Sequence, residues 1–253
     1  MCQLLGMNSL KPAELSFSLA GFLRRGGVTD QHADGWGIAY FAEGDCRLLL
    51  DEEASARSRL AQWVQRERLR SCNVVAHIRK ATQGQVEAFN CHPFVRELWG
   101  RRWAFAHNGN LELSGMRARF FHPVGATDSE QAFCLLLDSL FARFGPRQPA
   151  NAALGEALRE IAARIAEQGT FNFLLSNGHT LFAHCSTELH HVQRAAPFGL
   201  ARALDGGEVI DFSEHNDCDD RIAVVATRPL SDEQWTAMKS GQLIRIEGGR
   251  LMA

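Results

Sequence analysis

Short apolar runs recur along the chain, each bounded by polar or glycine-containing breaks. Ten of them read as strands: CQLLGM, GWGIAYFA, CRLLL, CNVVAHI, RWAFAHN, FNFLLSN, TLFAHC, LHHVQR, RIAVVAT and QLIRIEG. They are too short for helices and rich in β-branched and aromatic side chains, which favours extended backbone. Apolar residues return at three- and four-residue spacing around 14–24, 55–68, 128–144 and 151–168, which predicts amphipathic helices. The clearest hairpin is NFLLSNGHTLFAHC, where two apolar runs flank Asn177-Gly178. FGPRQPANAA (144–153) places two prolines between two helical patterns and reads as a helix–helix connection, not a domain boundary. Many strands joined by short turns, with helices in a few blocks, predict an α+β protein of antiparallel sheets with helices layered outside. The regular strand–helix alternation of a doubly wound parallel fold is not seen. With no internal repeat or low-complexity tract, a single domain over 1–253 is expected.

Composition narrows the classes of function. The chain has 253 residues, 45% hydrophobic and 22% charged, with a formal net charge of −2. That balance suits a soluble protein with a sizeable core. It lacks the basic surplus of a dedicated nucleic-acid binder. No run approaches the roughly 18 apolar residues of a membrane span, and no basic-then-apolar leader opens the chain. No membrane or nucleic-acid partner and a cytoplasmic location are therefore expected. The seven cysteines are scattered and form no CxxC pair, which is poor material for a disulfide framework or zinc knuckle. Cys46, Cys72 and Cys134 are expected to be buried small apolar residues. HCSTELHH (184–191) lies across a strand–turn–strand pattern and matches no metal-ligand spacing, so no metal is assigned to it.

Four segments carry more chemistry than a core requires. In RRGGVTDQHADGWGIAYF (24–41), glycines at a strand entrance fit either a tight turn or close backbone approach. In VVAHIRKATQG (74–84), a buried-looking strand delivers His77 and Arg79. Arginine past a strand end can hold a carboxylate bidentately or lie on the surface, and His77 can be a core histidine. In RRWAFAHNGNL (101–111), Asn108-Gly109 after a strand is either a turn or an amide and N–H aimed at an oxyanion. In VGATDSEQAFCLLL (124–137), Thr127 or Asp128 caps a helix, and the Asp128 carboxylate also suits a ligand ammonium.

Taken in order, Cys2 behind the initiator Met, DGWG (34–37), HIRKATQG (77–84), HNG (107–109) and TDSE (127–130) resemble the class-II glutamine amidotransferase domain, an N-terminal-nucleophile hydrolase. NCHPF (90–94) sits where such proteins also carry an HPF segment. By motif the resemblance spans the first two-thirds of the chain, and it is closest to stand-alone members without a synthase domain. It implies a four-layer αββα sandwich of two antiparallel sheets. It also implies that Cys2 is the nucleophile once Met1 is removed, with its own α-amino group (reference pKa about 7.7–8.0) as general base. Asn108 and Gly109 match the oxyanion hole, and Arg79 and Asp128 match the partners of the substrate α-carboxylate and α-ammonium. His77 and Thr82 fall in the same substrate-binding segment. The implied reaction hydrolyses glutamine to glutamate and ammonia through a γ-glutamyl thioester, without cofactor or metal. The ammonia goes to solution or to a separate synthase subunit. Alternatives are another γ-glutamyl amide, such as a peptide or thiol conjugate, or a catalytically silent ligand-binding subunit. The chain departs from other branches at Lys80 and Gln83, in the loop that the resemblance places over glutamine.

Overall fold

The computed structural model describes residues 2–80 and 87–252. In chain order the strands are β1 (Gln3–Glu14), β2 (Trp36–Ala42), β3 (Asp45–Asp51), β4 (Arg70–Ile78), β5 (Phe94–Leu98), β6 (Arg101–Leu111), β7 (Gly169–Ser176), β8 (Thr180–His184), β9 (His190–Ala195), β10 (Leu200–Arg202), β11 (Val209–Asp211), β12 (Arg221–Ala226), β13 (Thr236–Ala237), β14 (Leu243–Glu247) and β15 (Arg250–Met252). The helices are α1 (Ser16–Arg24), α2 (Arg59–Arg66), α3 (Asp128–Phe144) and α4 (Asn151–Ala166). Every apolar run read as a strand forms one, and the four helical blocks form the four helices. The pattern does not announce β5, β10, β11, β13 or β15. Apart from β5 these hold only two or three residues, too few to display a period.

Two antiparallel sheets carry the fold. One has the order β13-β9-β12-β1-β4-β2-β3 and the other β15-β14-β8-β7-β6-β5, with β10 and β11 forming a separate small ribbon. Three apolar clusters define the layers. Leu5, Met7, Val74, Ala76 and Ile78 pack under α1 and α2. Phe105, Phe171, Phe173 and Phe182 pack under α3 and α4. Leu4, Val75, Ala104, Ala106, Leu174 and Ala183 meet between the sheets. Side chains alternate along a strand, so Leu4 and Leu5, or Val75 and Ala76, serve opposite cores. Burial on both faces explains why the strands read as continuous apolar runs instead of alternating ones. The order is helix, sheet, sheet, helix.

Local chemistry closes the elements. The β7–β8 hairpin turns on Asn177, whose Oδ1 accepts the N–H groups of His179 and Thr180 at 3.1 and 2.9 Å. α3 ends where the Gly145 N–H reaches the Phe141 carbonyl at 2.8 Å, and α4 resumes at Asn151 beyond the proline-containing connection. Cys46 and Cys134 are buried, as expected. Cys72 is only half-buried, because near the start of β4 it lines a surface cleft with Phe41 and Gly178.

Candidate active site

The site lies where β4 and β6 end and where β1 and α3 begin. Antiparallel register sets Gln3 opposite Ile78 and Leu4 opposite His77, which brings Cys2 beside Arg79 and Lys80. The half-buried Cys2 Sγ accepts the Lys80 N–H at 3.2 Å and lies 3.4 Å from the Lys80 carbonyl. The DGWG segment holds the other side of this turn. The Arg79 N–H donates to the Gly35 carbonyl at 2.8 Å, and the Asp34 N–H donates to the Arg79 carbonyl at 3.2 Å. The glycines here serve close approach: a Cβ on Gly37 would stand 2.4 Å from the His92 carbonyl oxygen.

Asn108 and Gly109 do not form a turn. Both lie inside β6, paired with Asn172 and Phe171 of β7. Alternation puts Asn108 on the inner face with Ala104 and Ala106, the face on which Leu4 also lies. The Asn108 main-chain carbonyl accepts from Asn172 Nδ2 at 3.0 Å. The residue is 1% exposed, yet neither Oδ1 nor Nδ2 has a partner among the described residues. Buried amides without partners are uncommon because the cost is not repaid by folding. A Cβ on Gly109 would fall 1.9 Å from the Thr170 carbonyl oxygen, so only glycine fits.

At the start of α3, Thr127 is the cap: its Oγ1 accepts the Glu130 N–H at 3.2 Å. Asp128 is thereby free for another role, and its Oδ2 accepts the Leu111 N–H of β6 at 2.8 Å. The buried Glu130 does not reach back to the cap. It accepts the Val124 and Gly125 N–H groups at 3.1 and 2.7 Å and pairs with Arg96, which pins the loop before the helix.

Three buried histidines back the cleft. The His77 and His92 rings lie 4.1 Å apart, and His92 Nδ1 accepts the His107 N–H at 3.2 Å. Burial pushes all three ring pKa values down, His77 to about 3, so each is neutral at physiological pH. Burial also raises the Cys2 thiol, opposed by the Lys80 backbone and the Arg79 guanidinium. A thiol so placed needs a base before it can attack.

Cys2, His77, Arg79, Gly109 and Asp128 all line one small cleft, with Asn108 between two of its lining residues. Thr82 and Gln83 lie outside the described residues. Lys80, His92, His107, Thr127 and Ser129 share the same walls. None of these carries a site assignment in the sequence reading, though the HNG, HPF and TDSE motifs contain four of them. His184 and His190 donate through Nδ1 to the carbonyls of Phe171 and Thr227, so these two rings are committed to different backbone segments. Among the described residues, the one group with ligand spacing for a metal is Asp217, Asp219 and Asp220. Lys11 Nζ already stands 3.5, 2.7 and 3.2 Å from those carboxylates. No helix among the described residues is long and apolar enough to cross a membrane.

Comparison with known proteins agrees with this architecture. A Haemophilus influenzae protein, by name a candidate glutamine amidotransferase, is 46% identical over 255 residues, covering 100% of this chain and 86% of its own. An Escherichia coli protein of the same description, YafJ, is 45% identical over 245 residues, 96% of each chain. The crystal structure of a candidate glutamine amidotransferase from Pseudomonas aeruginosa superimposes with a TM-score of 0.78 at 38% identity, covering 100% of both chains. Glutamine phosphoribosylpyrophosphate amidotransferase from Bacillus subtilis shares the fold, with a TM-score of 0.64 at 14% identity over 99% of this chain and 48% of that one. The family model for class-II glutamine amidotransferases matches residues 1–253. With a fold, a cleft and relatives that agree, this chain belongs to the class-II glutamine amidotransferases.

Proposed function

We propose that the protein hydrolyses the side-chain amide of glutamine to glutamate and ammonia, with Cys2 as nucleophile and residues 1–253 acting as one domain. Removal of Met1 gives Cys2 a free α-amino group, which takes the thiol proton that burial otherwise retains. The thiolate attacks the carboxamide carbon, and the tetrahedral oxyanion is received by the Asn108 carboxamide and the Gly109 N–H. Collapse expels ammonia, which carries away the proton held by the amine. Water then hydrolyses the γ-glutamyl thioester and returns the thiol. Arg79 and Asp128 hold the substrate α-carboxylate and α-ammonium, with His77 walling the pocket behind them.

The observation that carries this reading is Asn108: a buried carboxamide with no partner among the described residues, set in β6 between His107 and Gly109, which line the same cleft as Cys2. Arg79 and Asp128 address only the amino-acid head group, which every γ-glutamyl amide shares. The decisive experiment incubates protein whose loss of Met1 is confirmed by intact mass with glutamine and with a γ-glutamyl peptide. Ammonia, or the amine leaving group, and glutamate are measured, and acyl adducts at Cys2 are sought by mass. Turnover of glutamine, abolished in a folded Cys2→Ala variant, is expected. Turnover of the peptide alone moves the substrate to a conjugate. No turnover and no adduct with either refutes the enzymatic reading. Ammonia released here goes to solution or to a separate synthase subunit.

A further inference from the structure

The two halves of the proposed site stand on different elements. The oxyanion residues Asn108 and Gly109 are on β6, and the head-group carboxylate Asp128 opens α3. The connection from Leu111 to Asp128 contains no helix or strand, so it cannot by itself set their separation. Phe105 stacked on Phe133 holds β6 against α3, and two polar cross-links fix the register at the site. One is the Leu111 N–H to Asp128 Oδ2, and the other is a 2.8 Å hydrogen bond between His107 Nδ1 and Ser129 Oγ.

The direction of the second bond follows from its surroundings. His107 Nε2 lies 3.0 Å from the Thr170 carbonyl oxygen, which can only accept. Nε2 therefore carries the proton, Nδ1 presents a lone pair, and the Ser129 hydroxyl donates to it. Ser129 Oγ also stands 3.4 Å from Asp128 Oδ1, but its single proton points to His107. With Oδ2 taken by Leu111, Oδ1 is left as the acceptor for a cationic head group.

Resting on the glutaminase reading above, we infer that Ser129 and His107 form a positioning pair that registers the head-group carboxylate against the oxyanion hole. Ser129 touches no reacting atom. It locks the first turn of α3 to the residue preceding Asn108, and the Nε2–H tautomer of His107 keeps its hydroxyl turned away from Asp128 Oδ1. A substrate gripped at its ammonium then presents its amide carbon in line with Cys2.

The test is Ser129→Ala, assayed with glutamine and with 4-carbamoylbutanoate, which is glutamine without its α-amino group. The expected result is a loss of kcat on glutamine of about 10- to 100-fold, the cost of a misplacement near 1 Å, with KM little changed. On the analogue, which Asp128 cannot grip, the loss should shrink to less than about threefold, because no register remains to be lost. An equal loss on both substrates, or a rise in KM alone, overturns the inference and leaves Ser129 a merely structural residue. Nitrogen NMR of the histidine side chains gives a readout that does not depend on turnover: His107 should be neutral with its proton on Nε2 at pH 7, and an Nδ1-protonated ring overturns the inference. If the unsubstituted enzyme releases no ammonia from glutamine, the proposed function fails and the positioning role with it, while the tautomer measurement still tests the Ser129–His107 bond by itself.

Discussion

Consider Asn108→Ala, which acts in opposite directions on activity and stability. An oxyanion-hole donor is worth about 2.7–4 kcal/mol in the transition state, so kcat should fall roughly 100- to 1000-fold. For stability, the carboxamide has no partner among the described residues, so the substitution forfeits no hydrogen bond to them. Removing a buried unsatisfied amide relieves about 1–3 kcal/mol. The void left behind, roughly the 30 Å³ of a water molecule, costs about 0.7 kcal/mol at about 24 cal/mol per Å³. The balance predicts a fold unchanged or more stable by up to about 2 kcal/mol, a Tm shift of zero to roughly +6 °C for a protein of this size. Ammonia release and thermal unfolding followed by circular dichroism read the two quantities on one sample. A variant that loses about 2 kcal/mol of stability would show that Asn108 serves the strand, and near-normal kcat would show that it meets no oxyanion.

Asp128→Asn and Arg79→Ala should each raise KM for glutamine by roughly 10- to 150-fold, the loss of one charge-assisted contact of about 1.5–3 kcal/mol; an unchanged KM in both contradicts head-group binding. Stability should fall as pH drops below about 6.5, because the unfolded chain binds protons that His77, His92 and His107 refuse while folded. The slope should approach about 1.4 kcal/mol per pH unit for each ring and persist for His77 toward its folded value of about 3. Urea midpoints that stay flat from pH 7 to 5 would refute this. Arg25 is buried against Asp205 at 2.7 Å and donates to the Gln3 side chain and the Arg228 and Pro229 carbonyls. Arg25→Met should therefore cost about 3–5 kcal/mol in denaturant unfolding, since it strands a partly buried carboxylate; a loss below about 1 kcal/mol would show the network to be dispensable.

How far each feature was legible depended on the range of the forces behind it. HNG shows why short motifs mislead: by local statistics Asn-Gly is a turn, yet partner strand β7 keeps both residues extended. Thr127 and Asp128 were equivalent as caps on paper. The Leu111 N–H decided between them by claiming the Asp128 carboxylate, and Leu111 is remote in sequence. His107, His92 and Ser129 carried no site assignment because a histidine's role follows from what its two nitrogens meet, and those partners come from β7, β6 and α3.

The sequence by itself determined ten of the strands, the four helices, an α+β class of antiparallel sheets and the ordered motifs that carry the family resemblance, which in turn implied the sandwich. The strands and helices follow from periodicity, capping and turn chemistry, which act over a few residues. Tertiary structure alone decided that β1 starts where β4 and β6 end, that Asn108 faces the inner layer without a partner among the described residues, and that one tautomer of His107 ties α3 to β6. Strand register and sheet stacking are long-range choices, made by the burial of both faces together, and no short segment of the chain encodes them alone.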